Sequence, residues 1–284
     1  MATLYLVGTP IGNLADLSRR GEEVLASVNR ILAEDTRRTR KLLGHLGLST
    51  PLVSLHAHNE EARLKSVLDW LDAEEEVALV SDAGTPVVSD PGSRVVREVR
   101  KAGHFVVPVP GPSAVTAALS ASGFSGDRFT FLGFPPRKGK DREDVLERVR
   151  GSPEAVVLFE SPERLVKLLA DLAEACGEDR PAVVAREVTK VHEEFLAGGI
   201  RELEEHFRAH GPRGEVTLVL GPAPKREGEA REERVDERAT RALASALLEE
   251  GLSPSRCARE VVRRLDVPRN RAYEIVLDVA RNEE

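Results

Sequence analysis

Five short aliphatic runs, Leu4–Val7, Arg30–Ala33, Leu52–Leu55, Val77–Val80 and Phe105–Val109, recur through the first 125 residues. Runs that are apolar at nearly every position suit strands covered on both faces, and such strands alternating with helices build a parallel sheet. The stretches between them fit that scheme. Asp16–Val28 sets Leu17, Val24 and Val28 at near-helical intervals, and Glu60–Leu71 does the same with Leu64, Val67, Leu68 and Leu71. Ser93–Arg100 and Ser113–Ala121 begin after Pro-Gly and Gly-Pro turns, where free helix-start N–H groups and a reversing backbone coexist. A layered α/β domain over residues 1–121 is expected.

A second α/β domain, 122–224, follows a small-residue linker at Ala121–Gly126. Its strands are read at Phe129–Phe134, Ala155–Phe159, Pro181–Ala185 and Val216–Leu220, and its helices at Arg142–Val149, Leu165–Ala175 and Ile200–His210. The charged stretch Lys225–Glu233 reads as a solvated tether. Beyond it, residues 234–284 read as a helix-turn-helix-like module: Ala239, Leu243 and Leu247 share a helical face, Ser255–Leu265 follows, and a third helix after Val267-Pro268 carries Ala272, Ile275, Val276 and Val279.

Forty-one Lys and Arg against 48 Asp and Glu leave a net charge of −7, so binding to a polyanion needs a local basic face. Cys176 and Cys257 fit neither a zinc-ligand spacing nor a disulfide scaffold, which favours a reducing compartment. The first apolar run lacks a basic segment before it, and no apolar run approaches membrane-spanning length, so a cytoplasmic protein without a membrane partner is expected.

Three turn-rich loops follow strands: Gly8-Thr9-Pro10-Ile11-Gly12-Asn13, Ser81–Gly92 and Pro110-Gly111-Pro112-Ser113-Ala114. Parallel strands gather their exits on one edge, where open α/β sheets place ligands. Each loop alone is equally readable as a tight turn. Asp82 can accept from a bound amine or hydroxyl, or serve structure alone, and Asp90 can cap the helix after Pro91.

Other motifs exclude more than they assign. Gly133–Lys140 resembles a phosphate loop superficially, but five residues separate its glycines, Asp141 stands where a magnesium-binding hydroxyl belongs, and two prolines remove donors. A basic loop meeting phosphates, or a solvated one, remains. Asp35–Lys41 packs four bases into five residues, and Arg256, Arg259, Arg263, Arg264, Arg269 and Arg271 crowd the C-terminal module; both clusters suit either an anionic partner or ordinary solvation. His56 and His58 have no convincing metal-ligand company, and Ser161 lacks a nucleophile-elbow context. Arg186–Lys190 and Gly211–Glu215 offer charged groups beside predicted strands, for a cleft or for local pairing.

Taken in order, Val7–Asn13, Glu34-Asp35-Thr36-Arg37, Ser81–Pro86, Pro110–Ser113 and Ala185–Lys190 make the chain resemble the ribosomal RNA small subunit methyltransferase I family, within the tetrapyrrole-methylase-like group. The resemblance spans about residues 3 to 222 and implies two unlike α/β domains of tetrapyrrole methylase type with a cleft between them, plus the small helical module. It implies S-adenosyl-L-methionine as methyl donor, no metal, a cytidine 2′-hydroxyl of 16S rRNA near the decoding centre as acceptor, in the small ribosomal subunit or its precursor, and a homodimer. Donor-pocket residues implied are Gly8, Thr9, Pro10, Asp82, Ala83, Gly84, Thr85, Pro86, Ser113, Ala114, Phe159, Glu160, Gly214, Glu215 and Val216. For the transfer step, Asp35 or Glu187 is the candidate proton acceptor, and Arg37, Arg186 or Lys190 the candidate group that orients RNA or polarises the oxygen. A small-molecule tetrapyrrole methylase and a catalytically silent RNA-binding assembly module are the alternatives.

Overall fold

The computed structural model describes the backbone of residues 1–224, 227–265, 267 and 269–282, and their side chains except at 227–236, 270, 281 and 282. Residues Met1–Ala223 form one compact unit and Pro224–Glu284 a second. The expected two-sheet α/β architecture and helical C-terminal segment are present.

The first sheet holds β1 (Thr3–Val7), β2 (Arg30–Ala33), β3 (Leu52–Ser54), β4 (Val77–Val80) and β5 (Phe105–Val109), all parallel, in the order β3-β2-β4-β1-β5. Side chains alternate between its faces, as the period of a strand requires. Leu4, Leu32, Val77 and Leu79 join a core with α3 (Glu60–Asp72) and α4 (Ser93–Lys101). Val7, Ile31, Ala33, Ala78 and Val80 join another with α1 (Arg19–Ser27) and α2 (Thr36–His45). Both faces are therefore covered, which explains the unbroken aliphatic runs.

Four local expectations need correcting. The helix read over Asp16–Val28 is interrupted: a 3-10 turn spans Leu14–Asp16, and Ser18 then caps α1 by accepting from the Gly21 N–H at 3.1 Å. Asp35–Lys41, read only as a charge cluster, enters α2, with Asp35 as its N-cap and Thr39, Leu42 and Leu43 buried. Asp90 does not cap α4. Gly92 occupies that position, and Glu60 of α3 reaches across so that its Oε1 accepts from the Arg94 and Val95 N–H groups at 2.8 and 3.1 Å. The tether is helical from Glu227 onward, within α9 (Glu227–Glu249), because Glu, Ala and Arg are strong helix formers; its first two residues lie outside the described ones.

The second sheet runs β6-β7-β10-β8-β9, from β6 (Phe129–Phe131), β7 (Ala155–Glu160), β8 (Pro181–Arg186), β9 (Glu194–Gly199) and β10 (Val216–Leu220). Only β6 and β7 are parallel neighbours. The edge strand β9 was not anticipated. On one face lie α6 (Lys140–Arg150), α7 (Pro162–Cys176) and α8 (Ile200–His210). On the other, α5 (Ala114–Ala121) buries Val115, Ala118 and Leu119 against Val157, Ala185 and Val219. The boundary expected at residue 121 thus falls at the end of a helix that packs on the second sheet, which joins both halves into one unit.

In the second unit, α9, α10 (Pro254–Leu265) and α11 (Arg269–Asn282) enclose their own core around Ala244, Leu247, Cys257, Val261 and Val276. No helix among the described residues is long and apolar enough to cross a membrane.

Candidate active site

In the order β3-β2-β4-β1-β5, the chain leaves β1 toward one edge and β4 toward the other, so a crevice opens between their C-terminal ends. The loops there are tied together. Thr9 N–H donates to Gly84 O at 2.9 Å, and Gly84 N–H returns the bond to Thr9 O at 3.0 Å. The loop after β5 closes in from the other side, where Gly8 and Gly111 meet backbone to backbone without space for a side chain.

A cavity of about 370 Å³ lies against these exits, within the roughly 300–1,000 Å³ of small-molecule sites. The first half supplies Asp82, Ala83, Gly84, Thr85, Ser113 and Ala114; the second supplies Phe159, Glu160, Gly214, Glu215 and Val216. Those eleven proposed donor-pocket residues are brought together. Gly8, Thr9, Pro10 and Pro86 lie outside this lining, with Thr9 and Pro10 instead bordering a smaller cavity of about 190 Å³ beside Arg38 and Lys41. Ile11, Val88, Ser89, Asp90, Val115 and Phe134 are lining residues the sequence reading did not place there. Ile11, Val88, Ser89, Asp90 and Phe134 stood in motifs already singled out, whereas Val115 was read only as part of the helix Ser113–Ala121.

The loop leaving β4 is strained. Val87 and Ser89 hold positive φ values of 75° and 65°, a conformation disfavoured for any side chain and most for a β-branched one. Asp82 ties the exit of β4 to the start of α2: its Oδ1 accepts from the Asp35 N–H at 2.9 Å, and its Oδ2 sits 3.6 Å from Arg38 Nε. Burial, reinforced by Asp82, pushes the Asp90 carboxyl up despite a hydrogen bond from Ser81. Burial likewise raises Glu34, with Asp90 and Asp82 adding repulsion. Glu160 is buried and raised too; its Oε1 accepts from the Ser161 N–H at 2.8 Å, and Arg164 faces Oε2 at 3.0 Å.

Asp35 and Arg37 form a local pair at the start of α2. Arg37 donates through its side chain and its backbone N–H, which holds the Asp35 carboxyl well below its usual range. Across the crevice, Arg186 is bound to Glu194 at 2.6 Å. Glu187 Oε1 accepts from Lys190 Nζ at 2.8 Å and from the Glu215 N–H at 2.9 Å, and the Lys190 bond chiefly lowers its pKa. The turn carrying Glu187 also abuts the first loop, since a Cβ on Gly12 would lie 2.4 Å from Lys190 Cγ. The motifs Val7–Asn13 and Ala185–Lys190 are therefore two sides of one contact. Among the described residues, no cluster of His, Cys, Asp and Glu could hold a metal.

This two-sheet fold with its cleft defines a methyltransferase class: the chain belongs to the tetrapyrrole (corrin/porphyrin) methylases, whose family model matches residues 3–204. The more particular kinship is to proteins named ribosomal RNA small subunit methyltransferase I. That of Synechocystis sp. is 40% identical over 280 residues, 98% of this chain and 99% of its own. That of Thermotoga maritima is 47% identical over 220 residues, 78% of this chain and 98% of its own. Among solved structures, diphthine synthase matches with a TM-score of 0.62 and 19% identity, covering 78% of this chain and 90% of that one. Uroporphyrin-III C-methyl transferase from Thermus thermophilus, complexed with S-adenyl homocysteine, matches with 0.58 and 19%, covering 78% and 97%.

The family's cofactor is S-adenosylmethionine, and the cleft has matching chemistry. Ile11, Val88, Val115 and Phe159 offer apolar surface, while Asp82, Asp90 and Glu160 supply carboxylates suited to a cationic ligand with amine and hydroxyl donors. Glycine and alanine at 83, 84 and 114 let a ligand reach the backbone.

Proposed function

We propose that the protein methylates the 2′-hydroxyl of a cytidine in the 16S rRNA of the small ribosomal subunit, acting in the cytoplasm as a homodimer. One observation carries the reading: three strand exits of the first sheet and two segments of the second line a single cavity in a chain similar from end to end to small subunit rRNA methyltransferases.

S-adenosylmethionine, when bound, supplies an electrophilic methyl group on a sulfonium. What remains for the chain is to align the acceptor oxygen, exclude water and take up a proton. Asp35 and Glu187 are held acidic by their cationic partners and have oxygens committed to capping and bridging. Asp90 lines the cavity and has a raised pKa, which favours it as the acceptor of the 2′-hydroxyl proton. Glu187 then acts by positioning the Glu215 backbone in the cavity wall.

The test supplies methyl-labelled donor and purified immature small subunits, followed by digestion of the rRNA to nucleosides. Label in 2′-O-methylcytidine supports the reading; label on a base, or transfer only to a tetrapyrrole, overturns it.

A further inference from the structure

Phe134 is an exception in a chain that hides most of its large apolar side chains. The residue is 57% exposed, yet it lines the cavity and its ring lies against that of Phe159 with centroids 5.4 Å apart. Leaving such a ring in water forgoes the gain of burial, so an exposed ring beside a ligand site suggests a surface awaiting a flat partner.

The loop that carries it is firmly held. Phe159 N–H donates to Gly133 O at 2.8 Å, and the buried Arg142 donates to Pro136 O at 2.9 Å while pairing with Asp171 at 2.6 Å. Arg164 donates to Pro135 O, and the two consecutive prolines restrict the loop further. A Cβ on Gly133 would lie 3.1 Å from Ser89 Oγ, so the loop also meets the strained turn of the first half. The ring therefore stands on a preorganised support and needs little ordering to bind.

Directly after the prolines come Arg137, Lys138 and Lys140, all exposed and with no side-chain hydrogen bond or ion pair among the described residues. Arg137 is close enough to Glu160 to influence its titration, which places positive charge near the cavity. Recognition of single-stranded RNA combines these elements: a π-face for an unstacked base and cations for the neighbouring phosphates.

We propose that Phe134 is a substrate-positioning residue that stacks on an unpaired nucleobase at the target site, while Arg137, Lys138 and Lys140 hold the flanking phosphates. This rests on the reading of RNA as acceptor. Stacking fixes the nucleoside from its base side and leaves the ribose to face the methyl donor.

The experiment compares the full-length parent with Phe134→Ala, Phe134→Trp and the triple variant Arg137→Gln, Lys138→Gln, Lys140→Gln. It measures S-adenosylhomocysteine affinity by calorimetry, and kcat and KM with immature small subunits over a range of salt concentrations. Phe134→Ala should lose about tenfold or more in kcat/KM for the subunit with unchanged S-adenosylhomocysteine affinity, and Phe134→Trp should recover most of it. The triple variant should raise KM and flatten its salt dependence. Unchanged subunit kinetics in Phe134→Ala, or weakened S-adenosylhomocysteine binding, overturns the proposal, the latter by assigning the ring to the donor. Failure of the parent to methylate any small subunit refutes the RNA reading itself, a result separable from either variant outcome.

Discussion

A Cβ placed on Gly8 would lie 2.8 Å from Gly111 Cα, and one placed on Gly111 would lie 2.7 Å from Gly8 O. Both contacts are to backbone, so neither residue can yield by turning a side chain. Gly8→Ala or Gly111→Ala should therefore push the loops after β1 and β5 apart and destabilise the protein by about 2 kcal/mol. Thermal unfolding should record a midpoint lower by several degrees; an unchanged midpoint would show that the loops can separate freely.

Gly84 combines a φ of +82° with a reciprocal backbone pair to Thr9. Gly84→Val should disturb that pair and weaken S-adenosylhomocysteine binding by about tenfold or more, because a β-branched residue at positive φ is strained irrespective of the space available. Calorimetric titration of the folded variant and parent measures this, and equal affinities would remove the loop from the donor site.

Much of this geometry was legible in the chain. Continuous aliphatic runs betray parallel strands because both faces must be apolar, and glycine-rich exits betray places where backbones approach. Less was legible where position depends on distant partners. The stretch Glu194–Gly199 gains its strand conformation by pairing along β8 and ends in two glycines, which gives little local signal. In α2 the bases obscure the apolar face formed by Leu42 and Leu43. Charge alone also marked Glu187 as a chemical candidate, whereas its bonds to Lys190 and to the Glu215 backbone depend on residues the fold brings together.

Asp90 provides a kinetic signature. Deprotonation is required for it to accept a proton, so the rate should rise with pH through a value above the ordinary 3.8 of an aspartate. Asp90→Asn should lower kcat by about a hundredfold and lose this limb. A variant with the parent's profile would move proton transfer to another group.

Glu187 should make stability depend on acid in the opposite sense to a raised carboxyl. Its pKa is lowered from 4.5 in the folded state, so its contribution is complete above the unfolded value and is lost as pH falls through the folded one. Glu187→Gln should be less stable than the parent to urea at pH 7, and the gap should narrow on acidification below about pH 4. A constant gap would mean that the carboxylate's charge is irrelevant to the bridge.

Truncation after Ala223 removes the second unit while leaving both sheets of the first. Several of the module's bases are internally engaged: Arg263 and Arg264 both pair with Glu260, and Arg271 pairs with Glu237 and Glu274. The truncated protein should therefore retain donor affinity and measurable transfer, with small-subunit affinity reduced by about tenfold or less. Complete loss of donor binding would assign the module a role in supporting the cleft.

The carboxylate of Glu60 fastens the first turn of α4, the helix into which the Ser81–Gly92 loop runs. A substitution on α3 can thus loosen one wall of the binding site while every residue that faces the ligand stays the same.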